Sequence, residues 1–362
     1  MSVNNETVPN QLALDEVHRA QGAAMEETCG WVLPRDYGDV VAEHRAVREA
    51  AGVIDRSLAG KVTVTGRDRQ AFLQGMLSNE IKSLAPGQGT AAAFLDAHGK
   101  VMALLHVHVL EDRLLLELPP GLTQKTLELL DKFLISEKAY FEAADESFSV
   151  LGVEGPGAAA VLSPLAGRSL DPAPDEHVEV SIAGAPVRVI GRGDTGGPGF
   201  QCWTMAFHGG ALWSALVEAG ARPVGAEALN ALRIEAGIAW YGHDVDETVI
   251  LPETRLEHFV SYNKGCYIGQ EVVARVKYRG HVNRALSGLV LDGDRVPASG
   301  AKVVAESKEI GRVTSAVRSI ALGQPIALGY VRREYLAPGT AVTIQDGDGG
   351  IPARVAELPF VR

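Results

Sequence analysis

Lys264-Gly-Cys-Tyr-Ile-Gly-Gln-Glu271, running on to Arg275, Lys277 and Arg279, decides the reading of this chain. These 16 residues gather a cysteine, two glycines, an amide, a carboxylate and three further cations, in a protein whose formal net charge is −11. Cys266 lies between Gly265 and Gly269, close to Lys264, and ahead of a segment (269–277) with helical character. A helix start and a nearby cation both favour thiolate over thiol, so the pattern points to an activated sulfur. The blander reading is a small buried hydrophobe. No His/Asp partner is identifiable nearby for a papain-like triad, which argues against thiol-protease chemistry.

Working outward toward the C-terminus, strand-like runs appear at 286–291, 301–305, 310–317, 326–331, 341–344 and 351–355. Gly, Pro and Asp separate them, and no helical pattern interrupts, so a small antiparallel barrel is expected. Toward the N-terminus the texture is mixed. A helix is expected over 41–51 and a strand over 61–65. Thr65-Gly-Arg-Asp68 reads as a capping box opening a helix that carries Phe72, Leu73 and Met76. Strands follow at 89–94, 100–110 and 113–118, with a hairpin turn at His98-Gly99 and a helix from Thr123. Further strands are expected at 148–153 and 186–190, and helices at 157–162, 211–219 and 226–236. Short, hairpin-linked strands favour α+β layers over a long parallel sheet.

At 362 residues the chain exceeds the ~100–200 of one typical domain, so two or three are expected. Hydrophobic content of 46% and charged content of 22% suit a globular enzyme. The acidic balance argues against direct broad nucleic-acid binding, although a local basic patch can meet an anionic ligand. Cys29, Cys202 and Cys266 are far apart and odd in number, so no disulfide framework is implied. A reducing, cytoplasmic setting is expected. Residues 1–12 read as a frayed polar tail, and Met1–Gln11 has no apolar core for secretion. No apolar run reaches the ~18–20 residues that span a bilayer, so no membrane partner is expected.

Three other motifs invite chemical readings. Gly191-Arg-Gly193-Asp-Thr-Gly196 is literally GxGxxG, but Gly197-Pro-Gly199 follows where a dinucleotide fold needs a helix. A glycine-rich hairpin is expected there. His106 and His108 share one face of a strand, yet no partner ligand is identifiable, and no metal is expected. His243-Asp-Val-Asp-Glu247 lacks the spacing of an EF-hand and reads as a solvated loop.

The segment 264–271 with Arg275 resembles the K-G-C-[FY]-x-G-Q-E-x3-R signature of the YgfZ family of folate-binding proteins, within the superfamily of the glycine-cleavage T-protein (aminomethyltransferase). Supporting blocks cover most of the chain: Ala51–Asp55, Phe72–Gly75, Leu77-Ser-Asn79, Phe94–Asp96 through Gly99-Lys100, Gly155-Pro156, and Leu232–Gly237 with Tyr241-Gly242. The resemblance implies an α+β fold in a three-domain ring around a tetrahydrofolate pocket, with two α+β domains and a C-terminal antiparallel β-barrel. The expected division is 1–55 with 145–250, 56–144, a connector at 251–282 that carries the signature, and the barrel at 283–362.

Departures from the T-protein pattern guide the functional expectation. The resemblance puts an aspartate pair, one member catalytic, at Ala103 and Leu104, and neither side chain can move a proton. Asp96 is displaced along the strand and is not treated as a substitute. The T-protein pterin loop, Y-x-G-E-x-G-[FW]-E, reads here as Asp194-Thr-Gly-Gly-Pro-Gly-Phe-Gln201. Gln201 stands for the glutamate that grips the pterin, with the same capacity to accept a bond but without the charge. Asp194 removes an aromatic stacking position. Arg233 is where the superfamily places an arginine near the folate tail, and Asn79 joins Gln201 and Arg233 as a folate-binding residue. On this footing the expected function is a folate-binding protein that supports iron–sulfur cluster assembly or repair, and thereby tRNA modification, through partner assembly factors or client enzymes. Cys266 is the functional thiol, with Lys264, Gly265, Tyr267, Gly269, Gln270, Glu271 and Arg275 supporting it. Two alternatives stay open: a tetrahydrofolate-dependent aminomethyltransferase of the T-protein type, and a scaffold without folate affinity.

Overall fold

The computed structural model describes residues 9–28, 30–347 and 349–361. Of the polar tail expected over 1–12, residues 1–8 lie outside the described residues, as does Cys29. Asn10–Gln11 does not fray: it pairs in parallel with Trp31 and Val32. The chain divides into two compact units, one formed by 1–58, 145–174 and 178–230, the other by 59–144, 175–177 and 231–362.

The first unit is α+β. A six-stranded sheet runs in the order His177–Ile182, Ala185–Ile190, Gly199–Met205, Phe148–Glu154, Gly52–Asp55 and Arg222–Pro223. Its central strands are short and apolar, which suits burial on both faces. Val150, Leu151 and Val153 are inaccessible, and helices Ala158–Leu165 and Gly209–Glu218 contribute Leu162, Leu212 and Trp213 to the same core. The glycine-rich stretch 191–198 joins Ala185–Ile190 to Gly199–Met205, which pair antiparallel with Ile190 opposite Gln201. It is a hairpin loop, and the GxGxxG string has no helix behind it. A small sheet of Asn10–Gln11, Trp31–Asp36 and Ala24–Thr28 went unexpected. Its middle residues Glu26 and Glu27 and the partly exposed Ala24–Thr28 show no apolar alternation, so the period-2 signal is absent there.

The second unit carries a five-stranded antiparallel sheet, ordered Gly89–Leu95, Val101–Val109, Leu114–Leu118, Gly60–Thr65 and Tyr140–Ala143. Helices Arg69–Met76 and Thr123–Asp131 cover one face, where Phe72, Leu73 and Leu130 meet Ala103, Leu105 and Val107. The expected capping box does not form. The helix begins at Arg69, so Asp68 rather than Thr65 stands at its N-cap, and the Asp68 carboxylate accepts the Lys138 amide at 2.8 Å instead of capping the helix.

The barrel expected at the C-terminus closes, in the order Arg284–Leu291, Pro325–Arg332, Lys308–Arg318, Lys302–Ala305, Ala341–Asp346 and Gly349–Ala356. Ile351, Ala353 and Val355 alternate inward against exposed Pro352 and Arg354. Closure leaves no free sheet edge. Among the described residues, no helix is long and apolar enough to cross a membrane.

Candidate functional site

In the second unit, the signature segment leads into the helix Gln270–Arg279. Gly269 sits at φ 82°, and a Cβ there would fall 2.6 Å from the Asp96 carbonyl and 2.9 Å from Leu95. Only glycine combines that backbone with that approach, so Gly269 lets the helix start rest on the hairpin turn at 96–99. Tyr267 and Ile268 pack into the hydrophobic cores of this unit, and the Gln270 side chain accepts the Tyr267 amide at 3.2 Å.

Lys264 is half-buried and donates from Nζ to the carbonyls of Gln74, Leu77 and Asn79, at 2.7, 2.6 and 2.7 Å. It closes the C-terminal end of helix Arg69–Met76, where unpaired carbonyls attract a cation. Burial pushes its ammonium down to about 8, opposed by nearby Glu80. Its charge is thus directed at backbone carbonyls. Cys266 is a free, exposed cysteine, and its neighbour Gly265 is exposed too. Glu271 and Arg275 are also exposed.

Asn79 ties this region together. Its amide donates to Thr90 Oγ1, the Ala91 carbonyl and the His258 carbonyl, and its oxygen accepts the Glu80 amide at 3.0 Å. Arg233 is 1% exposed; it donates to Asp244, to the Ile238 carbonyl and, at 2.8 Å, to Ser315 Oγ, and it lies over the Trp240 ring at 4.7 Å. Both side chains hold elements of the second unit to one another. Ala103 and Leu104 are buried on opposite faces of Val101–Val109, Ala103 under the helices and Leu104 in a core with Ala91, Ala93, Ile234 and Phe259.

In the first unit, the strand end at Glu154 and the loop 191–199 form a polar cluster. Glu154 is inaccessible. Its Oε1 accepts the Asp194 amide and its Oε2 contacts the Thr195 hydroxyl, both at 2.9 Å. A Cβ on Gly199 would lie 2.6 Å from Oε2, so glycine permits the loop to lie directly on the carboxyl. Burial, then the charge of Asp194, pushes Glu154 up to about 8, against the loop hydrogen bonds and Arg56. Asp194 is the partly exposed member. Arg56 Nε is 3.1 Å from its carboxylate and Arg192 Nε 3.9 Å. Gln201, fully buried, donates to Asp194 at 3.3 Å and accepts from Trp203 Nε1 at 3.3 Å. The loop therefore presents one carboxylate held between two guanidiniums, with Gln201 orienting it from inside.

Sequence reasoning selected Gln201 from this cluster, read Asp194 only as a lost stacking position, and missed Glu154 and Arg56. An acid ending the apolar run Phe148–Val153 was the available signal for Glu154, because a strand buried on both faces rarely tolerates one without partners. Among the described residues, no group of His, Cys, Asp and Glu side chains is arranged to hold a metal ion.

The GCVT N-terminal domain model matches residues 14–264, and the glycine cleavage T-protein C-terminal barrel domain model matches 284–362. The chain is 33% identical to an aminomethyltransferase of Streptomyces avermitilis over 98% of both chains. It is 32% identical to one of Thermosynechococcus vestitus, over 94% of this chain and 93% of that one. A solved aminomethyltransferase T of the glycine cleavage system from Bartonella henselae superposes with a TM-score of 0.89 at 27% identity, covering 97% of this chain and 98% of that one. These findings confirm the α+β fold with its C-terminal barrel. They overturn the assignment to the YgfZ branch and, with it, the role in iron–sulfur support and tRNA modification; iron–sulfur assembly factors and clients have no support as partners. The physical reason for the misreading is local: Gly269 and Lys264 fit the signature because they dock a helix on a turn and close another helix's end. By matches that together span nearly its whole length, the chain belongs to the glycine cleavage T-protein family.

Proposed function

We propose that this chain is a tetrahydrofolate-dependent aminomethyltransferase of the T-protein type. The observation that carries the reading is the cluster on the glycine-rich loop of the first unit. A pterin presents ring N–H and amino donors along one edge and a carbonyl beside them. Asp194, partly exposed and oriented by Gln201, can accept the donors, and Arg56 or Arg192 can meet the carbonyl. The donor set thus fits the ligand, with the carboxylate supplied by Asp194 rather than by the residue at 201. A folate derivative is the cofactor class that goes with this family. Tetrahydrofolate supplies the amine nitrogens that accept the one-carbon unit; the chain's residues bind it, orient it and manage protons.

The four-part division of the chain, with the folate domain formed by 1–55 and 145–250, belongs to the same proposal. So do the pocket roles of Asn79 and Arg233, which would be indirect, because both side chains already hold neighbouring segments in place. Any role of Cys266 in the transfer would rest on its exposure alone.

The test is calorimetric titration with tetrahydrofolate, together with folate-dependent ammonia release from an aminomethyl-loaded lipoyl carrier. Wild-type protein should bind and release ammonia, and Asp194→Ala should weaken binding about 10-fold or more, the scale of a lost charge-assisted hydrogen bond. No heat and no ammonia release would refute the reading.

A further inference from the structure

Glu154 ends the strand Phe148–Glu154, opposite Gly199 of the neighbouring strand, and the loop 191–199 closes over its carboxyl. We propose that Glu154 is a positioning residue for folate: as an uncharged acid it fixes the loop so that Asp194 faces the pterin, and losing its proton releases the ligand. The inference deepens the transferase reading and rests on it, and every residue in it belongs to the first unit.

Several contacts couple the loop to this one side chain. Glu154 Oε1 accepts the amide of Asp194 at 2.9 Å, so it holds the backbone of the residue whose carboxylate meets the ligand. Oε2 contacts the Thr195 hydroxyl at 2.9 Å, one residue on. A Cβ would fall 2.8 Å from Oε2 at Gly193 and 2.6 Å from it at Gly199, so the backbone rests on the carboxyl from both ends of the loop. The Pro198 carbonyl accepts the Gly155 amide at 2.8 Å, which ties the far side of the loop to the same strand end. Glu154 is inaccessible, so it is not itself a ligand contact and acts through Asp194.

The charged groups of the cluster are Asp194 and Arg192 on the loop and Arg56 beyond the strand Gly52–Asp55. The strands on either side place Gly199 and Gly52 opposite Glu154 and add no charge there. Both guanidiniums are directed at Asp194, at 3.1 and 3.9 Å, while the Glu154 carboxyl meets an amide and a hydroxyl. Ionised, Glu154 would set a second negative charge beside Asp194 where water does not reach. Relief comes from opening the loop to water or from drawing Arg56 off Asp194, and either one turns the binding carboxylate away from the pterin. Burial, then the Asp194 charge, places this ionisation at about 8. Binding is therefore strong below that value and lost as pH rises through it. Above it, folate binding takes up a proton from solvent onto Glu154.

The test is calorimetric titration of the full chain with tetrahydrofolate at pH 7 and pH 9, the latter in two buffers of different ionisation enthalpy. With ionisation at about 8, roughly nine-tenths of Glu154 is protonated at pH 7 and one-tenth at pH 9, so the wild-type Kd should rise about 10-fold and binding at pH 9 should take up about 0.9 proton. In Glu154→Gln the Kd ratio between the two pH values should fall below about 2-fold and the uptake should vanish; the comparison removes any titration of the ligand itself. Thr195→Val deletes a contact that favours the charged acid and should move the alkaline limit upward, which keeps the test decisive where E154Q does not fold. A wild-type Kd that is flat between pH 7 and pH 9, binding at pH 9 without proton uptake, the same pH dependence in E154Q, or an unmoved limit in T195V overturns the inference and leaves the transferase reading intact. Wild-type protein that binds no folate at pH 7 fails the transferase reading and removes this inference with it.

Discussion

Glu154→Gln separates a buried acid's electrostatic cost from its hydrogen bonding. Burial raises this carboxyl from 4.5 to about 8 in the folded state, with the Asp194 charge adding to the effect. The sign follows from proton uptake. Between those two values the folded protein holds a proton that the unfolded chain has released, so stability is greatest below about pH 4.5 and falls as pH rises through the folded value. Between pH 5 and pH 8, two titrations at 4.5 and 8 give a fall of about 3 kcal/mol. The Thr195 hydroxyl at 2.9 Å can accept from the protonated acid or donate to the ionised one, so the geometry accommodates both forms. Glutamine at 154 keeps an acceptor for the Asp194 amide and has no titration. The assay is urea unfolding at pH 5 and pH 8, followed by tryptophan fluorescence; Trp31, Trp203 and Trp213 all lie in the first unit. Wild-type protein should lose about 3 kcal/mol more than E154Q on going from pH 5 to pH 8. Parallel pH dependence in the two proteins would refute the reasoning, because it would mean that Glu154 is ionised in the folded state at neutral pH.

Other substitutions probe the remaining assignments. Lys264→Met leaves three carbonyls at a helix end without their cation and should destabilise the second unit by about 2 kcal/mol, read as a lower urea midpoint. Gly269→Ala meets both a left-handed backbone and the Asp96 carbonyl, and should cost about 2 kcal/mol or more in the same assay. Cys266→Ala, at an exposed and free thiol, should change stability by less than about 0.5 kcal/mol and leave ammonia release within 2-fold.

The barrel was legible in the sequence because alternation and turn residues report directly on a sheet with one buried face, as in Ile351, Ala353 and Val355. The hairpin around 191–198 was legible from a missing element, the helix that a dinucleotide loop requires. The site was less accessible for two reasons. Position 201 was identified, but only packing shows that Gln201 is buried and that Asp194 carries the exposed charge. The signature at 264–271 was over-read because sequence cannot tell a glycine or lysine chosen for a ligand from one chosen for a neighbouring backbone.

The central claim is most directly tested by ammonia release from an aminomethyl-loaded lipoyl carrier, measured with and without tetrahydrofolate on the wild-type chain. The account predicts release that depends on folate and that falls in Asp194→Ala. Folate-independent release, or none at all from protein with an intact fold, would contradict it.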